Sequence, residues 1–440
     1  MSTSLSGGKF IAELLIVILV FSVVFVGTSK TSAEGEIPES NFGLADYTVG
    51  FNQTYGGYNS EVGYAMVQTS DGGYAITGYT SSFGAGSSDV WLVKTDANGA
   101  EEWNQTYGEI EMEIGYSIVE TNDSGYAIAG IKWTPNMFDV WLIKTDSAGT
   151  EQWNRTYGRA GNDRGYSVVQ TSDGGYAIAG YTNSSSTLFD VWLIKTDSAG
   201  TMQWNQTYGG TKDDYGRSVV QTSDGGYAIA GDTESSGAGR SDVWLIKTDS
   251  GGAMQWNQIY GGRDYDLGYS LVQTGDGDYV IAGKTWSFGS GGPDAWVIKT
   301  DSGGAMRWNQ TYGGTNREEL YSVIETDDGG YALGGMTGSF GEGFSDVWVI
   351  KTDSAGTVEW NRTYGGTGNE FGYSLVQVSD EVYAIAGYTD SSGGGLMDFW
   401  LINTGTVNPL VPEFTTWLLM LFLISATLFA FSFQKRLKHR

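Results

Sequence analysis

Residues 166–208 read YSVVQTSDGGYAIAGYTNSSSTLFDVWLIKTDSAGTMQWNQTY. Four runs rich in β-branched and aromatic residues stand out: 166–171, 176–181, 190–196 and 202–208. Ser172-Asp173-Gly174-Gly175 separates the first two, and its glycines supply the positive φ that a tight hairpin needs. Asp197-Ser198-Ala199-Gly200 separates the last two, and a longer loop joins the middle pair. Four strands joined by short turns make one propeller blade. A lone sheet of this kind leaves both faces in water, so copies of the unit must stack.

The copies are present. A Trp-Asn pair recurs at Trp103, Trp153, Trp204, Trp256, Trp308 and Trp360, at intervals of 50 to 52 residues. Phe51-Asn52 occupies the same register one unit earlier. The third strand begins seven times, at Asp89, Asp139, Asp190, Asp242, Asp294, Asp346 and Asp398. The last unit stops near Thr404 without a fourth strand, and an unattached copy of that strand stands at 48–55. The pattern predicts an all-β, seven-bladed β-propeller of four-stranded antiparallel blades over 46–405, closed by the N-terminal strand so that no edge is free. An open β-solenoid and two smaller domains are the rival architectures.

Composition narrows the function classes. The chain has 67 Gly, only 5 Pro and 14% aromatics, the balance of a β protein rather than a disordered one. A net charge of −27 repels phosphate and argues against nucleic-acid binding. With no cysteine, disulfides and thiolate chemistry are excluded. The single histidine, His439, is next to last, which excludes Ser-His-Asp catalysis and histidine-bound zinc from the repeats.

The ends carry their own signals. Residues 1–33 read as a signal peptide, with an uncleaved anchor and a pilin-like leader as alternatives, and 34–45 as a linker. A second linker, 406–414, precedes the apolar run 415–433, which is long enough to cross a bilayer; the basic tail 434–440 then lies on the cytoplasmic side. This predicts a cell-surface, membrane-anchored protein with an extracellular propeller. Pro412-Glu413-Phe414, the apolar run and the basic tail together resemble the PEF-CTERM sorting signal of archaeal surface proteins. That resemblance covers about the last thirty residues and implies processing by an archaeosortase-like enzyme.

A second resemblance lies in the repeats. Asp197 to Trp204, Asp249 to Trp256 and Asp353 to Trp360 are similar to the Asp-x-x-Gly-x-x-x-Trp tryptophan-docking motif of quinoprotein-type propellers. It implies that each Trp packs between adjacent blades. The whole repeat also looks like arrays found in secreted archaeal and bacterial proteins of unassigned activity. Both resemblances speak to fold and little to function.

The turns within the two hairpins are nearly constant, whereas the connections at the opposite end vary, which predicts a ligand on the variable-loop face. Two sets of acids recur at that end. One is Glu61, Glu113, Asp163, Asp214, Asp266, Glu318 and Glu370; the other is the seven third-strand aspartates from Asp89 to Asp398. Oxygen-rich rings of this kind suit Ca²⁺ or Mg²⁺, or else they serve the fold. Sequons at Asn52, Asn104, Asn122, Asn154, Asn183, Asn205, Asn309 and Asn361 are candidate glycosylation sites, or solvent-facing positions of a copied strand. Phe83, Trp133, Trp286 and Phe340 suit stacking on a sugar, contact with a protein, or loop packing. The function expected is extracellular binding or adhesion to a polysaccharide or protein, or envelope structure, without catalysis. The alternative is a carbohydrate-active or quinone-dependent enzyme using the acidic face.

Overall fold

The computed structural model describes residues 50–405 except 136, 159–160 and 184–187. These residues form 28 strands in seven four-stranded antiparallel sheets. Blade 3 consists of Asp163–Gln170, Tyr176–Thr182, Asp190–Thr196 and Met202–Tyr208, side by side in chain order. The first strands of blades 1 to 7 are Glu61–Gln68, Glu113–Glu120, Asp163–Gln170, Asp214–Gln221, Asp266–Gln273, Glu318–Glu325 and Glu370–Ser379. Each touches the first strand of the blades on either side, the seventh and first included, so these strands surround the axis. Every one carries a β-bulge, as between Gly165 and Ser167. A bulge adds twist where the sheet meets the axis.

The third strand explains the continuous apolar run. Val191, Trp192, Leu193 and Ile194 are all buried, because neighbouring blades cover both faces of the sheet. Small residues of one blade meet large ones of the next. Ala177 and Ala179 of blade 3 pack with Tyr227, Trp244 and Ile246 of blade 4. At the seventh interface Ala384, Ala386 and Phe399 meet Tyr74, Ile76 and Trp91. Alternating volumes of this kind let blades interdigitate without voids.

The fourth strand locks the outside. Trp103 lies over Gly149 of the next blade, where an added Cβ would sit 2.5 Å from the ring at a φ of 77°. Only glycine meets both demands. Tyr107 donates its hydroxyl proton to the carbonyl of the same Gly149 at 2.5 Å. Near the axis, Ser117, Ser167, Ser218, Ser270, Ser322 and Ser374 each accept a backbone N–H from the next blade. Blade 1 has Ala65 at this position.

Blade 7 is assembled from both ends of the repeat region. Glu370–Ser379, Val382–Thr389 and Asp398–Asn403 are joined by Phe51–Tyr55, which pairs antiparallel with Asp398–Asn403 from Phe51↔Asn403 to Tyr55↔Phe399. The Trp400 indole donates to Asn52, 348 positions away.

The expected fold needs two corrections. Each of the seven sheets is separate and open, and none closes on itself; the N-terminal strand completes one blade, and circularity rests on packing between blades rather than on a continuous hydrogen-bonded sheet. The described residues contain no helix, so the helix-bearing architecture reduces to the propeller. None of them forms a helix long and apolar enough to cross a membrane. The signal segment 1–33, the Pro412-Glu413-Phe414 motif, the apolar run 415–433 and the tail 434–440 lie outside the described residues. The membrane partner and the membrane-anchored, cell-surface location rested on those segments alone, and both are withdrawn.

Candidate functional site

The two acid sets lie at the predicted end of the blades, but they are not an open acidic face. Glu61, Glu113, Asp163, Asp214, Asp266, Glu318 and Glu370 are all fully buried. Glu318 accepts the N–H of Gly314 at 2.9 Å, the Thr337 hydroxyl at 3.1 Å and the N–H of Ser339 at 3.1 Å. It thereby fastens the strap that crosses from blade 5 to blade 6. The third-strand acids fasten the other loop: Asp89, Asp242, Asp346 and Asp398 each accept a loop N–H at 3.0 Å. Asp139 instead accepts the Thr134 hydroxyl. One acid of each kind flanks the same glycine, as Asp294 and Glu318 flank Gly313.

Burial has electrostatic consequences there. It pushes the Asp294 carboxyl up to about 7, against the Ser290 N–H that lowers it and with the Glu318 charge that raises it further. It also raises Asp139, Asp190, Asp242, Asp346 and Asp398. No group of three or more His, Cys, Asp or Glu side chains converges as a metal site among the described residues. A pair already engaged by N–H and O–H donors also offers fewer oxygens than the six to eight that Ca²⁺ takes. The acidic face expected to serve a ligand or an enzyme is therefore a set of internal fasteners.

The loop aromatics pack within their own blades while staying partly open to solvent. Phe83 packs on Trp91 at 5.6 Å and Phe340 on Trp348 at 5.6 Å. Trp133 belongs to the second strand of blade 2 and meets Phe138 at 4.6 Å. Trp286 is half-exposed. Phe83 is itself 44% exposed, so these contacts account for how the loop aromatics are held and do not by themselves mark a ligand site.

The sequon asparagines have a structural task. Asn104, Asn154, Asn205, Asn309 and Asn361 accept the indole N–H of the third-strand Trp at 3.0–3.1 Å, and Asn52 does the same for Trp400. Asn257 does so as well, although Ile259 has removed the sequon. The buried indole thus accounts for the recurring Asn independently of any glycan. Asn122 sits in the exposed hairpin turn of blade 2, and Asn183 follows the second strand of blade 3.

The departure from uniformity lies at the axis. Beside the bulge of each first strand stands Tyr64, Tyr116, Tyr166, Arg217, Tyr269, Tyr321 or Tyr373. Five neighbouring tyrosine pairs have centroids 4.8–5.3 Å apart and cross at 42–53°. One seventh of a turn is about 51°, so the rings stand nearly parallel to the axis in a propeller of seven. Arg217 fills the remaining place, its guanidinium 5.2 Å from the Tyr269 centroid. All seven are half-buried, as channel-lining groups must be.

Next to this belt, two further positions per blade differ around the circle. Blades 7, 1 and 2 present Phe371, Tyr388, Val62, Tyr79, Ile114 and Ile131. Blades 3 to 6 present Arg164, Tyr181, Tyr215, Asp232, Leu267, Lys284, Glu319 and Met336. Arg217 pairs with Asp232 at 2.5 Å. Glu319 receives Lys284 at 2.8 Å, Arg317 at 2.5 Å and the Tyr321 hydroxyl at 2.8 Å. Burial would raise the Glu319 carboxyl, yet Lys284 and Arg317 hold it below the usual range. On one side the residues beside the belt are apolar and aromatic, and on the other they include four charged side chains, of which Asp232 and Glu319 are buried. A reading of the repeats for what they share passes over these residues; the signal that finds them is what single copies lack.

No family model matches the chain. The regulatory protein FlaEY of Caulobacter vibrioides is 28% identical over 152 residues, 30% of this chain, and the match spans only 16% of that protein's length. Among solved structures, the WD40 domain of Neurospora crassa Pan2 is 9% identical, over 80% of this chain and 90% of that one, with a TM-score of 0.48. Sqt1 of Chaetomium thermophilum is 11% identical over 81% and 98%, with a TM-score of 0.48. A protein of unknown function from Dyadobacter fermentans is 10% identical over 81% and 98%, with a TM-score of 0.45. The blade count and connectivity above come from this chain's own strands.

Proposed function

We propose that this chain is a non-catalytic binding scaffold whose recognition element is the axial channel. Blade-to-blade packing gives a rigid frame, and rigid frames hold a site's geometry well. The observation that carries this reading is the broken belt: six tyrosines and Arg217, with charged residues at the two neighbouring positions only in blades 3 to 6. Residues that serve the frame are repeated, as the acids, the Trp-Asn pairs and the Gly-Trp contacts are. The charged residues of the channel occur once each, and burying such pairs contributes little to stability.

The test compares channel with rim. The double variant Arg217→Tyr, Asp232→Tyr recreates the Tyr-Tyr pair that blades 1, 3 and 7 already hold at these positions, as in Tyr166 with Tyr181. Trp286→Ser alters the rim. Wild type and both variants are screened by thermal shift against a small-molecule library of neutral and charged compounds. Compounds that stabilise the wild type are expected to lose their effect on the channel variant and keep it on Trp286→Ser. The reverse pattern, or a library without any stabilising compound, overturns the proposal.

A further inference from the structure

Arg164 stands apart from the other cations of the channel. Arg217 has Asp232, and Lys284 and Arg317 share Glu319. Arg164 pairs with no carboxylate among the described residues. Its guanidinium lies 5.0 Å from the Phe138 centroid and 6.0 Å from that of Tyr181, so aromatic faces hold it. The tyrosines of the belt stand beside it, with the Tyr116 and Tyr166 rings 5.0 Å apart. Its Nε is buried and donates to nothing. The other six copies have Val62, Ile114, Tyr215, Leu267, Glu319 and Phe371 at this position, so the repeat does not require the arginine.

A partly buried guanidinium with an idle N–H is costly unless something accepts from it. The shortage of an internal partner is notable in a chain with 51 carboxylates against 24 lysines and arginines. The planar fork of arginine matches a two-oxygen anion, and aromatic walls fix its plane without neutralising it. The neighbouring tyrosine hydroxyls add donors to the same space. Water-poor walls strengthen the attraction for an anion that enters.

Resting on the scaffold reading above, we infer that the channel beside Arg164 binds an oxyanion, a carboxylate or phosphate group carried by a small molecule. Arg164 supplies the charge and orientation, and Tyr116 and Tyr166 supply hydroxyl donors. The paired cations Arg217 and Lys284 keep the same side of the channel from being dominated by acids.

The experiment is calorimetric titration of the full chain with inorganic phosphate, with acetate, and with chloride as the reference ion. Phosphate or acetate is expected to bind measurably above chloride, and which of the two is tighter identifies the source of the oxyanion. Arg164→Gln is expected to weaken that binding about tenfold or more, as loss of a charge-assisted contact does. Arg164→Lys is expected to recover part of it, and Arg240→Gln on an exposed loop to leave it unchanged. Circular dichroism shows whether each variant is folded, and Arg164→Lys carries the test if Arg164→Gln is not. Equal affinity in wild type and folded Arg164 variants, or no heat with either anion, overturns the inference. That failure leaves the scaffold proposal standing if library compounds still distinguish the Arg217 and Asp232 variant.

Discussion

Each blade has two ends, and both rely on carboxylates in opposite ways. At the hairpin-turn end, Asp328 is half-exposed and meets the buried Lys351 at 2.7 Å. Lys351 and the Thr326 hydroxyl hold its carboxyl down at about 2. Asp71 is likewise held at about 2, by Thr69 and then Lys94. At the other end Asp294 is buried beside Glu318 and is pushed up to about 7. Aspartate is thus an exposed anchor for a lysine at one end, in six of the seven blades, and an internal fastener at the other. The difference shows that the charge of a residue does not reveal its task; the task follows from which partner the fold places beside it.

The sharpest way to break this comparison is to remove a fastener. Glu318→Ala leaves the N–H groups of Gly314 and Ser339 and the Thr337 hydroxyl without their acceptor. The expected loss is about 3 kcal/mol by urea denaturation, because several buried donors are orphaned together. Glu318→Gln keeps an acceptor and is expected to lose less. A full-sized loss in both would mean that charge, rather than hydrogen bonding, fastens the strap.

The two ends also separate on the pH axis. A carboxyl with a raised folded pKa binds its proton more tightly when folded, so its effect on stability is favourable at low pH. That effect is lost as pH rises from about 4 towards about 7. A carboxyl held near 2 contributes stability above about 4, which is lost as pH falls towards 2. Asp294→Asn is therefore expected to be stabilised relative to wild type by about 2 kcal/mol more at pH 8 than at pH 5. Its acid-side loss below pH 4 is expected to be unchanged. Denaturation curves across that range check both limbs.

The smallest effect concerns one blade junction. Six junctions carry a serine near the axis, and the junction from blade 1 to blade 2 carries Ala65. Ala65→Ser is expected to add a hydroxyl acceptor for the Ile118 N–H and to raise stability by about 0.5–1 kcal/mol. No gain would mean that the serine contacts are incidental to the packing.

Much of the frame was legible in the chain. The period of 50 to 52 residues, the Asp-Gly-Gly turns and the unattached strand at Phe51 lead to seven four-stranded blades, because repetition makes each weak local signal count seven times. The contact of each glycine with the Trp of the preceding blade, as of Gly200 with Trp153, was not legible from the spacing, because the two residues belong to different repeats. The site was much less legible. The recurring acids drew attention as a surface feature, yet burial turned them inward. The loop aromatics Phe83 and Phe340 drew attention as binding groups, yet they cover the Trp of their own blade. Arg164, Arg217, Asp232 and Lys284 are single departures within a uniform pattern, and they lie tens to hundreds of residues from some of their channel neighbours.

The chain by itself determined its units: where strands run, where they turn, and that seven of them share one core design. Those are local facts, set by alternation of side chains and by glycine at positive φ, and each is decided within about ten residues. The circle decided everything else. Which carboxylate is buried, which asparagine serves an indole and which cations face one another across the axis depend on residues that only inter-blade packing brings together. Electrostatic and hydrogen-bond energies depend on distance in space rather than on separation along the chain.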